Sequence, residues 1–250
     1  MPLAEFSSAS VPGIAAISLL WSTGTLTSLA RALTDLPAAV LSVVAVFLNN
    51  NYFGSAFFGM AALFRETSVL SFFSIMWLDQ KQKTVSRQLL AYGLIMTLPI
   101  MVWTLYVNSQ MSAGEALKIR NFSFPFFVIW QKLYNSVNDV FLGFPNCTIH
   151  SRVYLVFELI CPLSLIIQSA YFFIKPRINS KIWRLGIGFA ILLLCLGGSI
   201  WVEQFAYCRS VLLLTICFNL LIHEYEPGAA YYSWYILGNI GMFYMCLVSV

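Results

Sequence analysis

An all-α bundle of membrane-crossing helices is the fold class this sequence predicts, and three observations predict it. Of the 250 residues, 60% are hydrophobic and only 10% are charged, whereas a soluble domain carries about 25% charged residues. Mean hydropathy is +0.80, and the apolar residues form runs long enough to cross a bilayer instead of alternating with polar ones. Most of the basic excess lies in two short stretches, Lys81, Lys83, Arg87 and Lys175, Arg177, Lys181, Arg184, the pattern of loops retained on the cytoplasmic side. Together these describe an integral membrane protein with one transmembrane domain over 1–250, about seven or eight membrane segments, and an extracytoplasmic loop at 108–151.

The elements follow in order. Met1 to Pro12 has no Lys or Arg ahead of the first apolar run, so it lacks the basic start of a signal peptide, and the mature chain is expected to begin near Met1. Val11 to Ala30 is apolar but rich in Ser, Thr and Gly, suited to close packing between helices. In LTDLPAAV, Thr34 or Asp35 caps a new helix with Pro37 in its first turn. Phe53 to Leu78 is one apolar run interrupted by Arg65-Glu66-Thr67. It reads either as a single long helix or as a hairpin of two half-helices turning at the charged residues, and polar backbone at that depth is tolerated where it lines a cavity.

Leu89 to Val107 crosses outward with Pro99 as a kink, and Arg152 to Ile174 returns with Glu158 and Pro162 inside it. Between them FSFPFFVIW has the aromatic content of a segment at headgroup level, or of a lid. Leu185 to Val202, then Ser210 to Ile222 extended backwards to Phe205, and finally Ala229 to Val250 supply the remaining segments. The Glu203 to Arg209 stretch reads as a tight turn at the outer surface, with Arg209 in reach of Glu203.

Composition excludes several functions. The net charge of +4 lies in the two loops, with no basic patch interleaved with aromatics, so no nucleic acid is expected. The six cysteines include no C-x-x-C, and neither His stands at ligand spacing, so no metal or cofactor is expected. Cys161, Cys195, Cys217 and Cys246 read as packing residues, and a Cys147–Cys208 disulfide is conceivable on the outer side. There is no phosphate-binding loop, dinucleotide fingerprint, zinc-helix motif or serine elbow.

What the sequence does offer is a set of ionisable groups at membrane depth or its outer edge: Asp35, Arg65, Glu66, Glu158, Glu203 and Arg209. A charge at the bilayer centre costs roughly 2.5 to 3.5 kcal/mol, so it faces a partner, a cavity or a substrate. Arg65 and Glu66 are adjacent and point about 100° apart on a helix, so each is expected to have another partner; for Arg65 this is a lipid phosphate or a carboxylate such as Asp35 or Glu158. A guanidinium fork suits phosphate, and carboxylates accept from hydroxyls, which matches a sugar carried on a lipid phosphate.

The segments LTDLPAAVLSVVAVFL, FRETSVL, WVEQFAYCRSVLLLTICFNLL and WYILGNIGMF, in that order, resemble the second half of bacterial polytopic proteins of cell-surface glycopolymer formation. These are related to GT-C type glycosyltransferases, which use polyprenyl-phosphate sugars. The resemblance covers roughly Pro12 to Leu78 and Glu203 to Phe243. It implies a substrate-binding role for Asp35 with Thr34, for Arg65 and Glu66 with Thr67, and for Tyr207 and Arg209; Glu203, from the charged set above, is a further substrate-binding candidate. The resemblance implies a membrane-embedded glycosyltransferase-like protein of the bacterial inner membrane, acting on a lipid-linked sugar amid membrane lipid. The family keeps its catalytic acid in a first extracytoplasmic loop after an N-terminal helix, and this chain is expected to start beyond both. A truncated remnant, or a partner subunit supplying the missing helices, is therefore part of the expectation, and no catalytic residue is assigned. A lipid or glycan transporter and a non-catalytic membrane subunit are the other function classes.

Overall fold

The computed structural model describes residues 22, 25, 34–48, 50–74, 85–110, 123–143, 149–202 and 206–243. Among them the chain is all-helical, with no β-strand. The order is α1 (Asp35–Phe47), α2 (Asn51–Phe64), a 3₁₀ helix (Glu66–Ser74), α3 (Val85–Gln110), α4 (Phe127–Gly143), α5 (Ile149–Ile174), α6 (Lys181–Cys195), α7 (Gly198–Val202), α8 (Ala206–Ser210), α9 (Leu212–Tyr225), α10 (Ala229–Asn239) and a closing 3₁₀ turn (Ile240–Phe243).

Among the described residues two stretches, Arg87–Tyr106 in α3 and Arg152–Ile174 in α5, are long and apolar enough to cross a membrane. Both contain the prolines expected of them, Pro99 and Pro162. The other apolar helices are shorter: α1 has 13 residues, α2 and α9 14, and α6 15, or about 20 to 22 Å each. The run expected at Leu185 to Val202 is divided at Leu196, where α6 ends in extended backbone, and the run into Ile222 is divided at Val211, between α8 and α9.

The core lies where α5, α6 and α9 meet. Leu165, Phe172, Leu185, Phe189, Leu193, Leu214 and Phe218 are buried there. Tyr171 packs edge-on against Phe218 and Trp234. A buried polar network ties α10 to this core: Thr215 Oγ1 donates to Gln168 Oε1 (2.9 Å), Gln168 Nε2 donates to the Gly238 carbonyl (2.7 Å), and the Asn219 and Asn239 amides bond each other reciprocally at 3.0 Å. Each of these bonds satisfies a group that would otherwise be buried without a partner.

Phe53 to Phe64 lies within α2 and stops at Arg65, whose backbone is extended (φ −153°, ψ 120°), so one continuous helix through the charged residues does not form. At one end of α6, Lys181 Nζ donates to the Leu48 carbonyl before α2 (3.4 Å) and Arg184 Nε donates to the Ser74 carbonyl after the 3₁₀ helix (3.2 Å). Leu192 and Leu196, at the other end of α6, line a cavity together with Arg65. The chain therefore climbs through α2, reverses at Arg65 and descends as the 3₁₀ helix. Residues 75–78 of the expected run lie outside the described residues.

Nine residues is long for a 3₁₀ helix, whose three-residue repeat aligns i with i+3. Here the repeat stacks Ser68, Ser71 and Ser74 on one buried face. Small side chains permit close approach, and α6 answers with Gly188, where a Cβ would stand 3.3 Å from the Leu70 carbonyl oxygen. Ser74 Oγ donates to the Ser71 carbonyl (2.7 Å), whereas the Ser71 hydroxyl has no hydrogen-bond partner among the described residues. Ser71→Ala should therefore raise stability, by about 1 kcal/mol, read as a higher unfolding midpoint in detergent; a lower midpoint would show that the hydroxyl is satisfied.

The remaining expectations divide as follows. Cys208 is a free, buried thiol 3.4 Å from the Cys161 sulfur, so it faces Cys161 and not a disulfide partner; Cys147 and Cys246 lie outside the described residues. Cys161 and Cys217 are buried as packing residues. The expected loop at 108–151 contains α4, a 17-residue helix. Lys81 and Lys83 lie outside the described residues.

Candidate functional site

The site is assembled where α1 begins, α2 ends and α8 ends. Asp35 is the first residue of α1, with Thr34 as its N-cap, although the Thr34 side chain makes no capping bond. A carboxylate in a first helical turn is favoured by the helix dipole. Asp35 is also 6% exposed, so burial demands a cation. Two guanidiniums supply it. Arg65 forms an ion pair with Asp35 Oδ1, and Arg209 Nη1 stands 3.8 Å from Asp35 Oδ2.

Arg65 is held by its neighbours on three sides. Nε donates to Thr67 Oγ1 (3.1 Å), Nη2 donates to Ser210 Oγ (2.8 Å), and Nη1 faces Asp35. The break in the helix allows this: in extended backbone the Arg65 side chain swings toward α1 and α8 while its own N–H still bonds the Ala61 carbonyl. Its side chain is 25% exposed, against 9% for Arg209. Arg65 is thus the accessible cation of the cluster and Arg209 the enclosed one.

Two spaces adjoin these groups. The gap bounded by Asp35, Arg65, Arg209 and Ser210 measures about 10 Å³, room for one water at most. On the other side of Arg65 a cavity of about 330 Å³ has Arg65, Glu66, Thr67 and Ser210 at its polar end and Trp103 and Leu196 in its apolar wall. Anything larger than water meets Arg65 from this second cavity and does not reach the space between Asp35 and Arg209.

The sequence-predicted residues therefore separate. Asp35, Arg65 and Arg209 come together, and the exposed Glu66 lines the cavity beside Arg65. Tyr207 is buried on α8, stacked on Trp201 with centroids 4.6 Å apart, and lines neither space. Glu203 lies outside the described residues. Arg209 is buried against α1 and not at an outer surface, because α8 is a helical turn packed inward and not a solvent loop. Glu158 is paired with Lys132 of α4, which leaves Asp35 as the carboxylate that Arg65 meets. Ser210 joins the site without having been expected there: it follows Arg209 directly, and a hydroxyl opening an apolar run is its only signal in the sequence. Thr104 and Trp103, on the cavity wall from α3, carry no signal at all. Among the described residues no three His, Cys, Asp or Glu side chains gather as metal ligands do.

No protein-family model, curated protein or solved structure matches the chain. The chemistry of the site is consequently read from its own geometry. Two guanidiniums share one buried carboxylate, Glu66 sets a second carboxylate beside the accessible guanidinium, and that guanidinium fronts a cavity that is polar around it and apolar along Trp103 and Leu196.

Proposed function

We propose that this protein is a polytopic membrane protein that binds an anionic, lipid-linked ligand in the cavity ending on Arg65, with a phosphate carrying a sugar on a polyprenyl chain as the ligand class. It handles that ligand in cell-surface glycan assembly at the extracytoplasmic side of a bacterial inner membrane, as a glycosyltransferase-like protein or its non-catalytic remnant. The reading assigns binding and no catalytic residue.

The membrane part is supported by α3. Only 11% of its most apolar stretch is buried, and Leu94, Leu98, Met101, Val102 and Leu105 are all exposed. Water would leave that surface as a large apolar patch, whereas lipid covers it at no cost. The two basic loops then face the cytoplasm, and the reversal at Arg65 makes the segment from α2 to the 3₁₀ helix a re-entrant hairpin with both ends on that side.

The ligand part is carried by one observation, the 330 Å³ cavity that is polar where it meets Arg65 and apolar along Trp103 and Leu196. A guanidinium has five N–H donors. Three have partners in Asp35, Thr67 and Ser210, and the other two suit a bidentate phosphate. The apolar wall suits the first units of a hydrocarbon chain.

The test is thermal stability in detergent with and without a polyprenyl-phosphate sugar. The ligand should raise the midpoint of the wild type, raise that of Arg65→Lys less because the fork is lost, and leave Arg65→Met unmoved. Stabilisation of Arg65→Met equal to that of the wild type would end the reading. A lipid or glycan transporter is the second reading, favoured by the broken helix, since interrupted helices at the binding site are a transporter feature. Translocation of a fluorescent lipid-linked sugar by proteoliposomes would select it.

A further inference from the structure

Helix α4 divides its surface into three strips. Its inner strip packs toward α5: Ile129 and Ser136 are buried, Lys132 forms an ion pair with Glu158, and Ser136 Oγ lies 3.5 Å from the Glu158 carbonyl. A second strip, Phe127, Trp130, Tyr134, Val137 and Phe141, is apolar and exposed along its whole length, with Trp130 at 74%. The third, Gln131, Asn135 and Asp139, is polar and also exposed. At 3.6 residues per turn the aromatic and polar strips lie about 120° apart around the helix.

A helix with one exposed strip of rings and another of amides and a carboxylate fits a boundary between two solvents, not either solvent alone. Its depth is fixed by the ion pair. Glu158 lies six residues inside the candidate span Arg152–Ile174, about 9 Å from its start, and Lys132 brings α4 to that level. Trp and Tyr favour the headgroup level and Phe belongs to the lipid-facing side of interfacial helices, and all but one position of the exposed apolar strip is one of these three. Leucine and β-branched residues, which a helix–helix seam prefers, are nearly missing from it. The one basic side chain of α4, Lys132, is taken by Glu158, so no charge on the exposed strips calls for an anionic partner.

We infer that α4 is an interfacial helix lodged in the outer leaflet, its Phe127–Trp130–Tyr134–Val137–Phe141 strip against lipid chains and headgroups and its Gln131–Asn135–Asp139 strip toward water. The inference rests on the membrane reading of α5 and is independent of what binds at Arg65.

The test places nitroxide labels on single cysteines introduced at Trp130, Gln131, Tyr134 and Asn135, with Cys147, Cys195 and Cys246 replaced by Ser, in phosphatidylcholine vesicles. Collisions with oxygen should exceed those with a water-soluble nickel chelate at 130 and 134, and the order should reverse at 131 and 135. Nickel-dominated collisions at 130 and 134 would make α4 an aqueous lid and overturn the inference. Dipolar broadening at 130 that vanishes on dilution with unlabelled chain would do the same by showing a second copy on the strip. An unlabelled check uses vesicles of phosphatidylcholine brominated at shallow acyl positions: Trp130→Phe should lose a measurable share of the quenchable tryptophan emission, and an unchanged share would count against lipid contact. Because the exposed strips carry no unpaired cation, replacing a third of the lipid with an anionic one should leave both patterns as they are; a shift toward burial would contradict the inference.

Discussion

Gly241→Ala will lower the unfolding midpoint more than any other single methyl added to a described glycine facing backbone. A Cβ at Gly241 would stand 2.6 Å from Cys161 Cα, 2.7 Å from the Ile160 oxygen and 2.8 Å from the Cys161 nitrogen. All three are backbone atoms of α5 and cannot rotate aside as a ring can. The contact is also bonded on both sides: the Gly241 N–H donates to Ser164 Oγ (2.9 Å) and its carbonyl accepts from Cys161 Sγ (2.8 Å). Separating the backbones to admit a methyl would break both bonds. Overpacking typically costs 1 to 3 kcal/mol, and a loss near about 3 kcal/mol is expected here. Gly198→Ala is the control, since nothing lies within 4 Å of the place its methyl would take, and it should be neutral. Equal melting of Gly241→Ala and Gly198→Ala would show that α5 and the closing 3₁₀ turn are not in contact in the protein.

Some of this molecule is legible in the sequence because the signal is local. The spans around Pro99 and Pro162 follow from long apolar runs, whereas the charges at Arg65 mark a place where a single helix and a hairpin are both open, and the extended backbone of Arg65 decides for the break. The other features depend on partners that are remote in the chain. Proximity in sequence suggests only Glu203, which lies outside the described residues, as a partner for Arg209, whereas the helical turn at Ala206–Ser210 brings it to the remote Asp35. Helix α4 reads as part of a polar loop because Lys132, Asn135 and Asp139 interrupt its hydropathy; its apolar strip recurs at alternating three- and four-residue steps, which a run of consecutive apolar residues does not capture. The glycine contacts with α5 and with the 3₁₀ helix are invisible until the opposing backbone is in place.

Asp35→Asn should be the most destabilising change in the charged cluster, ahead of Arg65→Met, and the reason is the count of buried charges. The wild type holds one carboxylate between two guanidiniums. Arg65→Met removes hydrogen bonds to Thr67 and Ser210, at about 1 to 3 kcal/mol, but it leaves Asp35 facing Arg209, a neutral pair. That second arginine keeps the Asp35 carboxylate facing a cation when Arg65 is lost. Asp35→Asn instead takes away the carboxylate that both guanidiniums face and leaves them confronting each other, and breaking a buried ion pair from one side costs roughly 3 to 5 kcal/mol. Combining Asp35→Asn with Arg65→Met removes the repulsion, so the double variant should be more stable than Asp35→Asn alone although it carries one more substitution. That recovery is the coupling a double-mutant cycle isolates. It also keeps the ligand test interpretable: the double variant should be folded and yet fail to respond to a polyprenyl-phosphate sugar, which separates loss of binding from loss of fold. Melting curves of the four proteins in one detergent decide it. If Arg65→Met melts below Asp35→Asn, Arg209 does not share the carboxylate and the cluster is a simple Asp35–Arg65 pair; if the double variant melts below both, Asp35 and Arg65 stabilise the fold independently and the shared-carboxylate account fails.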